Sequence, residues 1–330
     1  MATIREVAQE AGVAISTVSK AMNGSYTISE EQTKNIRKIA ARMGYTPNAR
    51  AQTFARQATR SAVFLTCLDR NAAFENPHMF EIISGAQSAL RQKGYALILQ
   101  HCDYKDICAT VRDIMDSKRA DGLLIHASVV THELSLLLSR SEIPHIVIGK
   151  PEAGQRLCWI DNNNRLSGEI AARHLYELGH RNVAFIGGHE SDRISEDRLI
   201  GVKSELPHTT ILRGDSTIEE GKRITAELLR LPKRPQALVC ANNHLAYGCL
   251  TALQEAKLHV LADISLITFD DYPFALYMRP ALTTVSIDVY EMGIQAGKLL
   301  RSCIKKPEMQ IQSFTTVPVL VKRASTAAPN

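Results

Sequence analysis

The sequence predicts a small all-α helix-turn-helix head followed by an α/β body of two lobes, each built on a parallel sheet with helices on both faces. Three observations favour this fold class. Two short helical patterns joined by a glycine turn open the chain, positive charge is concentrated before residue 61, and short β-rich runs alternate with helical stretches after it. A chain of 330 residues is long enough for two or three folding units.

Charge separates a basic head from a neutral body. Residues 1–60 hold nine Lys or Arg and four Glu, whereas the rest of the chain holds thirty basic and thirty acidic side chains. Such asymmetry favours a polyanionic partner for the head, most often nucleic acid. A well-solvated helical face would carry the same charge, so charge alone leaves both interpretations open.

The first predicted helix begins with a capping box, because Thr3 precedes an apolar-periodic run and Glu6 follows three residues later. Gly12 ends this helix, since glycine takes the left-handed conformation cheaply. The run "VAISTVSKAMNG" predicts a second short helix with Val18 and Met22 facing inward. Two helices joined by about four residues that include a glycine are typical of the helix-turn-helix.

A third helix follows, with Ser29 as its cap and Gln32 completing a second capping box. Its predicted buried stripe is Ile36, Ile39, Ala40 and Met43. The polar, basic segment "PNARAQTFARQATR" comes next. It is interpreted either as a disordered linker or as a helix that forms only on DNA, since coupled folding is usual for such segments.

The body repeats one pattern twice. The runs "AVFLTCL", "YALILQH", "DGLLIH" and "PHIVIG" alternate with helical stretches, and so do "VAFIGG", "TILRGD", "ALVCA" and "ISLITFD". Strands that alternate with helices predict parallel sheets. Ligands of open parallel sheets bind beyond the carboxyl ends of the strands, so a site is expected in the cleft between the two lobes.

No motif indicates an enzyme. The chain lacks G-x-G-x-x-G, G-x-S-x-G and H-E-x-x-H, and its eleven histidines are dispersed. Its seven cysteines are scattered without a CxxC, so we expect reduced thiols, no metal site and no cofactor. The N-terminal "MATIREVAQE" has no apolar signal region and no run is long enough to span a bilayer, so a cytoplasmic protein without membrane contact is expected.

The stretch "TIREVAQEAGVAISTVSKAMNG" and the later "ISEEQTKNIRKIAARMGYTPNA" resemble the head of the lactose-repressor/galactose-repressor (LacI/GalR) family of bacterial transcription regulators. The resemblance continues through "HLYELGHRNVAFIGG", "CANNHLAYG" and "DISLITFDD". It implies a periplasmic-binding-protein-like body and a homodimeric transcriptional regulator, expected to be a repressor. Such a protein binds a pseudo-palindromic operator in double-stranded DNA, and a small effector between the lobes controls its operator affinity.

The resemblance also implies the domain limits. The helix-turn-helix domain is expected at residues 1–47 and the hinge helix and linker at 48–60, with the 48–57 segment forming the helix in the minor groove. Residues 61–330 would form the effector-binding and dimerisation domain. One lobe would comprise roughly 61–160 with 289–318, and the other 161–288 with 319–330.

For DNA, the resemblance implies that the start of the second helix selects the operator in the major groove. Lys20 can donate to guanine, Ser16 can bond a base edge or a phosphate, and Ile15 can pack against a thymine methyl group. Phe54 stands where the family usually has a leucine wedge, and Gln52 where it has an arginine. The remaining expected DNA contacts are Arg5, Thr17, Ser19, Asn23, Tyr45, Asn48, Arg50 and Arg56.

For the effector, the resemblance points to Asp270 as an acceptor for hydroxyl groups, with Arg198, Asn242 and Asp161 beside it. His78 and Met79 stand where the family often has two aromatic residues, so ring stacking would fall to Phe74, Phe80 or Trp159. Each residue has a plainer alternative: Asp270 could cap the next helix, Arg198 could pair with Asp197 or Glu196, and the Asn run could be a turn.

A carbohydrate is the expected effector, because hydroxyl-binding residues outnumber the aromatic residues that a purine would need. Two alternatives stay open at the level of the sequence. The chain could respond to a nucleoside or purine, or it could be a ligand-sensing module without operator activity.

Overall fold

The computed structural model describes residues 3–22, 28–45, 58–67, 77–151, 157–309 and 311–329. The chain forms two compact units, Met1–Ser61 with Ser117–Asp121 and Ala62–Asp116 with Gly122–Asn330. Several predicted residues lie outside the described ranges, namely Asn23, Asn48, Arg50, Gln52, Phe54, Arg56 and Phe74. Among the described residues, none of the helices has the length and apolarity that a membrane crossing requires.

The head contains the three predicted helices, α1 (Ile4–Glu10), α2 (Ile15–Met22) and α3 (Glu30–Arg42). The predicted capping box at the start of α1 is confirmed: the Glu6 carboxylate accepts from the Thr3 N–H at 2.7 Å, and the Thr3 hydroxyl accepts from the Glu6 N–H at 3.4 Å. An N-cap of this kind stabilises a helix by about 1 kcal/mol.

At α3 the prediction holds in part. The Ser29 hydroxyl accepts from the Gln32 N–H at 3.3 Å, which confirms the cap. The reciprocal bond that would complete a capping box is not present in this part of the described chain. Gly12 and Gly44 end α1 and α3 at φ +63°, the left-handed conformation that glycine adopts without a Cβ clash.

A small apolar core joins the three helices of the head. Its fully enclosed members come from all three, and partly buried side chains surround them. Arg42, at the end of α3, forms an ion pair with Glu10, at the end of α1. The core residues are Val7, Ala8, Val18, Ala21, Ile36 and Ala40.

The first lobe is built on a six-stranded sheet in the order β11-β5-β4-β3-β1-β2. Its β1·β3, β3·β4, β4·β5 and β5·β11 pairs are parallel, as the alternating pattern predicts. The strands are β1 (Ser61–Thr66), β2 (Ala96–His101), β3 (Gly122–His126), β4 (His145–Ile148), β5 (Trp159–Asn162) and β11 (Phe314–Thr316). The helices are α4 (Pro77–Arg91), α5 (Ile107–Asp116), α6 (His132–Ser139) and α12 (Val289–Lys305).

The second lobe repeats this plan in the order β12-β10-β9-β8-β6-β7, with β12 antiparallel to β10 at one edge. Phe185 and Phe269 lie at the centre of its core and are fully buried. The strands are β6 (Val183–Gly187), β7 (Thr210–Arg213), β8 (Ala237–Cys240), β9 (Ser265–Phe269), β10 (Thr283–Ser286) and β12 (Val319–Val321). The helices are α7 (Asn164–Glu177), α8 (Arg193–Glu205), α9 (Ile218–Leu228), α10 (Asn243–Glu255) and α11 (Pro273–Tyr277).

The chain passes between the two sheets three times. It leaves the first sheet after β5, returns to the first lobe with α12, and reaches the second sheet again with β12. The predicted limit at 160/161 falls inside β5, and this strand carries Asp161 and Asn162 in the first sheet. The domain limits as a whole stay a prediction.

Both lobes bring two helices together through glycines. A Cβ on Gly85 would lie 2.1 Å from the Tyr290 carbonyl oxygen, where α4 meets α12. In the second lobe a Cβ on Gly168 would lie 2.0 Å from the Arg198 carbonyl oxygen, where α7 meets α8. Real Cβ atoms do not approach so closely, so only glycine permits these helix contacts. The contact in the second lobe also positions Arg198.

Candidate functional site

The exposed face of α2 presents the side chains expected to select the operator. Ile15 is 45% exposed, and Ser16 and Lys20 are exposed as well, while Val18 and Ala21 face the head core. Ile15 is not among the side chains that pack around the head core, so about half of its surface is open to a partner. Its contact with a base edge, such as the thymine methyl group, stays a prediction.

The other predicted DNA contacts of the described head differ in exposure. Arg5 is exposed on α1, whereas Thr17 and Ser19 are half-buried on α2. Tyr45 is half-buried against the head core, its N–H donates to the Ala40 carbonyl at 2.9 Å, and burial raises the pKa of its hydroxyl. Tyr45 therefore has a structural part in the head whatever its part in DNA binding.

A cleft of about 660 Å³ lies between the two lobes of the body. It opens at the carboxyl ends of the strands, where ligands of such sheets bind. All six residues expected to contact the effector line it: His78, Met79, Asp161, Arg198, Asn242 and Asp270.

Arg198 forms the centre of the second lobe's wall. Its side chain is 4% exposed, and the guanidinium donates to Asp270 through both terminal nitrogens, at 2.7 and 3.0 Å. It also donates to the Asn164 Oδ1 at 3.1 Å and to the Ala241 carbonyl at 2.6 Å, and it lies 4.5 Å from the centre of the Phe269 ring. A buried guanidinium with its charge paired acts mainly to hold Asp270 in place.

The plainer alternatives for Arg198 and Asp270 are not what the structure shows. Among the described residues, Glu196 pairs instead with Arg213, and Asp270 caps no helix, because α11 begins after Tyr272 without a side-chain cap. Asp270 lies at φ +65°, a conformation that a non-glycine residue keeps only where its surroundings impose it. Its N–H donates to the Val285 carbonyl at 3.0 Å, which helps to impose it.

The Asn run contributes both structure and lining residues of the cleft. Asn242 caps α10, where its side chain accepts from the Leu245 N–H at 3.0 Å, so it both lines the cleft and starts a helix. Asn243 donates to the Phe269 and Asp270 carbonyls at 2.9 and 2.6 Å. Its buried Oδ1 has no hydrogen-bond partner among the described residues.

The first lobe presents rings and apolar groups to the same cleft. The His78 and Tyr272 rings meet edge to face across the lobes, with centroids 4.4 Å apart. Burial lowers the pKa of His78 and raises that of Tyr272, so both are neutral at neutral pH. Met79 is 5% exposed and packs into the core of the first lobe, although it also lines the cleft.

His126 is a lining residue that sequence reasoning missed. It ends β3, its Nδ1 lies 2.7 Å from the Ser128 hydroxyl, and burial lowers its pKa to about 4. The signal that could have found it is its position at the carboxyl end of a parallel strand.

Asp161 lies on the first lobe's wall. It accepts from the backbone N–H groups of Lys150 and Asn162, at 3.0 and 2.7 Å. Burial raises the pKa of Asp161, which those two hydrogen bonds partly offset.

Comparison with known proteins agrees with this architecture. The family described as bacterial regulatory proteins, lacI family, matches residues 3–48, and the periplasmic binding protein-like domain matches residues 172–326. The HTH-type transcriptional repressor PurR of Vibrio atlanticus (strain LGP32) is 31% identical over 342 residues that cover 100% of both chains. The repressor of the same name from Actinobacillus pleuropneumoniae serotype 3 (strain JL03) is 31% identical over 337 residues, 98% of each.

Solved structures show the same fold. The lac repressor dimer bound to operator and the anti-inducer ONPF has a TM-score of 0.79 at 22% identity, and the match covers 99% of both chains. A LacI family transcriptional regulator from Enterococcus faecium with bound ribose has a TM-score of 0.70 at 25% identity, over 82% of this chain and 100% of that one. The chain therefore belongs to the lacI family of bacterial regulatory proteins, and it is a DNA-binding transcriptional repressor rather than an enzyme.

Proposed function

We propose that this repressor acts in the cytoplasm as a homodimer on a pseudo-palindromic operator, and that a neutral polyhydroxylated effector, a sugar or sugar derivative, controls its operator affinity from the cleft. We infer the chemical class of the effector from the ion pair that neutralises the charge of Arg198. Because Asp270 already neutralises the most deeply buried cation of the cleft, a phosphate or carboxylate would have to pair with Arg193 or Lys150, which are exposed.

The remaining lining suits hydroxyl groups. Carboxylates accept hydrogen bonds from hydroxyls, and side-chain amides both accept and donate. Charged side chains of the two signs are nearly balanced around the cleft, which favours an uncharged ligand. The charged lining residues are Asp161, Asp192, Asp197 and Asp270 on the acidic side, and Lys150, Arg193 and Arg198 on the basic side.

A nucleoside or purine is the second candidate. It is favoured by full-length relatives that carry the name PurR. A purine base requires an aromatic face to stack on. In this cleft the His78 and Tyr272 rings engage each other edge to face, so a purine would have to displace that contact.

Contacts that join the two lobes would couple effector binding to operator binding. His78 meets Tyr272 across the cleft, and the Arg193 guanidinium donates to the Pro151 carbonyl at 3.3 Å. An effector that binds one lobe arrangement better than another shifts the population between them. Operator affinity then follows whichever arrangement is favoured.

Homodimerisation is supported by large apolar side chains that are exposed to solvent in the described part of the body. Ile98 and Leu99, on the edge strand β2, are 43% and 45% exposed, and Phe274 and Tyr277, on α11, are 53% and 70% exposed. Edge strands and large apolar patches are normally covered in the functional protein. A dimer would place two recognition helices on successive major grooves about 34 Å apart.

A ligand screen tests the effector class. Thermal unfolding of the full chain would be recorded with ribose, galactose, cellobiose, a sugar phosphate, adenosine and hypoxanthine, since a ligand of the native state raises the unfolding temperature. We expect a neutral sugar to stabilise the protein, and Asp270→Asn to abolish that effect. Stabilisation by the nucleoside or base alone would favour the second candidate.

Operator reading is tested on α2. Lys20→Ala should relax discrimination at one base pair of the operator by about 1–3 kcal/mol, because a bidentate donor to guanine is lost. Lys38→Ala, on the exposed surface of α3, is the matched control and should leave base preference unchanged. The measurement is competitive binding to a library of operator variants at one fixed salt concentration. Unaltered base preference in Lys20→Ala would exclude this side chain from base reading.

A further inference from the structure

A cysteine, a histidine and an aspartate meet at the carboxyl ends of two strands in the first lobe. Cys67 directly follows β1, His101 is the last residue of β2, and Asp103 lies two residues further on. One ligand atom of each side chain lies within 4.8 Å of the other two, and the His101 Nε2 is 3.6 Å from the Asp103 Oδ1. None of the three lines the effector cleft.

The backbone holds this cluster together. The Cys102 N–H donates to the Thr66 carbonyl at 3.3 Å, which ties the end of β2 to the end of β1. Cys102 itself is 4% exposed and anchors its segment in the protein. Cys67 and His101 therefore each lie next to a residue of that hydrogen bond. Their spacing is set by the sheet and not by a loose loop.

The chemistry of the three groups is that of a transition-metal site. A thiolate, an imidazole and a carboxylate are the three ligand types that zinc uses in proteins. Tetrahedral bonds of about 2.0–2.3 Å place ligand atoms roughly 3.6 Å apart, so small rotations of these side chains would bring them into position. Cys67 is half-buried and the other two side chains are exposed, so an ion can reach them.

We propose that Cys67, His101 and Asp103 bind one Zn²⁺ ion, with water at the fourth position. The thiolate and the carboxylate together balance the charge of the ion. This site is separate from the effector cleft and is independent of which effector the cleft takes.

Cobalt provides the direct test, because a Co²⁺ ion bound to a thiolate gives a sulfur-to-metal absorption band. The full chain, kept reduced with a phosphine, would be titrated with Co²⁺ and then with Zn²⁺. We expect one equivalent of Co²⁺ to produce the band and one equivalent of Zn²⁺ to remove it. A wild-type protein that gives no thiolate band would overturn the proposal.

Variants locate the site. Cys67→Ser should abolish the band, and both it and His101→Ala should weaken Zn²⁺ binding by more than about tenfold, since even losing a hydrogen-bond partner of a ligand costs 10–100-fold. Cys303→Ser, another half-buried thiol, and His189→Ala, from a His189–Asp215 pair at 2.9 Å, are the matched controls and should bind normally. A Cys67→Ser protein that binds zinc as tightly as wild type, or a lost band in Cys303→Ser, would place the metal elsewhere.

Thermal unfolding checks that the variants are folded. Without metal, all four should unfold near the wild-type temperature, since the altered side chains are exposed or half-buried. Zn²⁺ should raise the unfolding temperature of wild type and both controls but not of Cys67→Ser. Equal stabilisation of Cys67→Ser would contradict the assignment of its thiol as a ligand.

Discussion

The two lobes share one folding plan but present different chemistry to the cleft between them. The second lobe contributes a buried, fully engaged network around Arg198 and Asp270. The first contributes rings and apolar groups, with Asp161 as its one carboxylate among the described lining residues. We infer that hydrogen-bonding groups are preorganised on the second lobe's wall, while the first lobe's wall can adjust its contacts as the lobes move.

The largest loss of stability is expected when the ion pair between Arg198 and Asp270 is broken. Arg198→Ala would leave the Asp270 carboxylate buried without its cation, and breaking a buried pair in this way costs about 3–5 kcal/mol of unfolding free energy. Urea denaturation at neutral pH measures it. Lys203→Ala, exposed on the same helix, is the control and should change stability by less than about 0.5 kcal/mol. If Arg198→Ala were as stable as the control variant, the network around Arg198 would not make the second lobe's wall of the cleft rigid.

The second largest effect should be a loss of stability in acid, caused by His126 of the first lobe. Burial lowers the pKa of His126 to about 4, so between pH 6.5 and 4 the unfolded chain binds a proton at His126 that the folded chain does not. The free energy of unfolding therefore decreases as the pH falls from 6.5 to 4, because protonation of His126 favours the unfolded chain. The loss is at most about 3 kcal/mol at pH 4 and is smaller with solvent screening.

His126→Gln should flatten the dependence of unfolding free energy on pH between 6.5 and 4. His208→Gln, at an exposed position of the second lobe, is the control and should leave the slope unchanged. The measurement is urea unfolding at a series of pH values. A slope that stays the same in His126→Gln would place the acid sensitivity in other buried histidines.

A third prediction tests what the lobes have in common. Gly85→Ala and Gly168→Ala each force a Cβ against a carbonyl oxygen of the facing helix, so each should cost about 1–3 kcal/mol by overpacking. Ser84→Ala, exposed on α4, serves as the control and should lie within about 0.5 kcal/mol of wild type. A cost in one lobe only would show that the two helix contacts are not equivalent.

The smallest effect should be at the first lobe's carboxylate. Burial raises the pKa of Asp161, so its ionised form is less favourable in the folded chain than in the unfolded chain. Asp161→Asn removes that charge and keeps an acceptor for the Lys150 N–H. The change in unfolding free energy should therefore be neutral or slightly stabilising, within about 1 kcal/mol. Asp270→Asn, which loses the ion pair with Arg198, should be clearly destabilising under the same conditions. A larger loss of stability in Asp161→Asn than in Asp270→Asn would contradict the view that the second lobe holds the rigid wall.

The local structure of the head can be predicted from the sequence alone. The cap of α1, the turn at Gly12 and the buried faces of α2 and α3 depend on residues three or four positions apart, and these interactions are encoded along the chain. The alternation of strands and helices in the body is of the same kind. The six expected cleft residues were found through family motifs, and all of them line the cleft.

The partners of those residues depend on tertiary packing and could not be predicted from the sequence. Arg198 pairs with Asp270, 72 positions away, and not with its neighbours Asp197 or Glu196, because the carboxyl end of β9 lies against α8. The expectation of no metal site rested on the absence of close cysteine spacing. Cys67 and His101 are far apart in the chain, yet β1 and β2 end at the same edge of the sheet and bring them together. Sheet order and helix packing arise from burial of the whole core, so contacts of this kind have no signature in a local stretch of sequence.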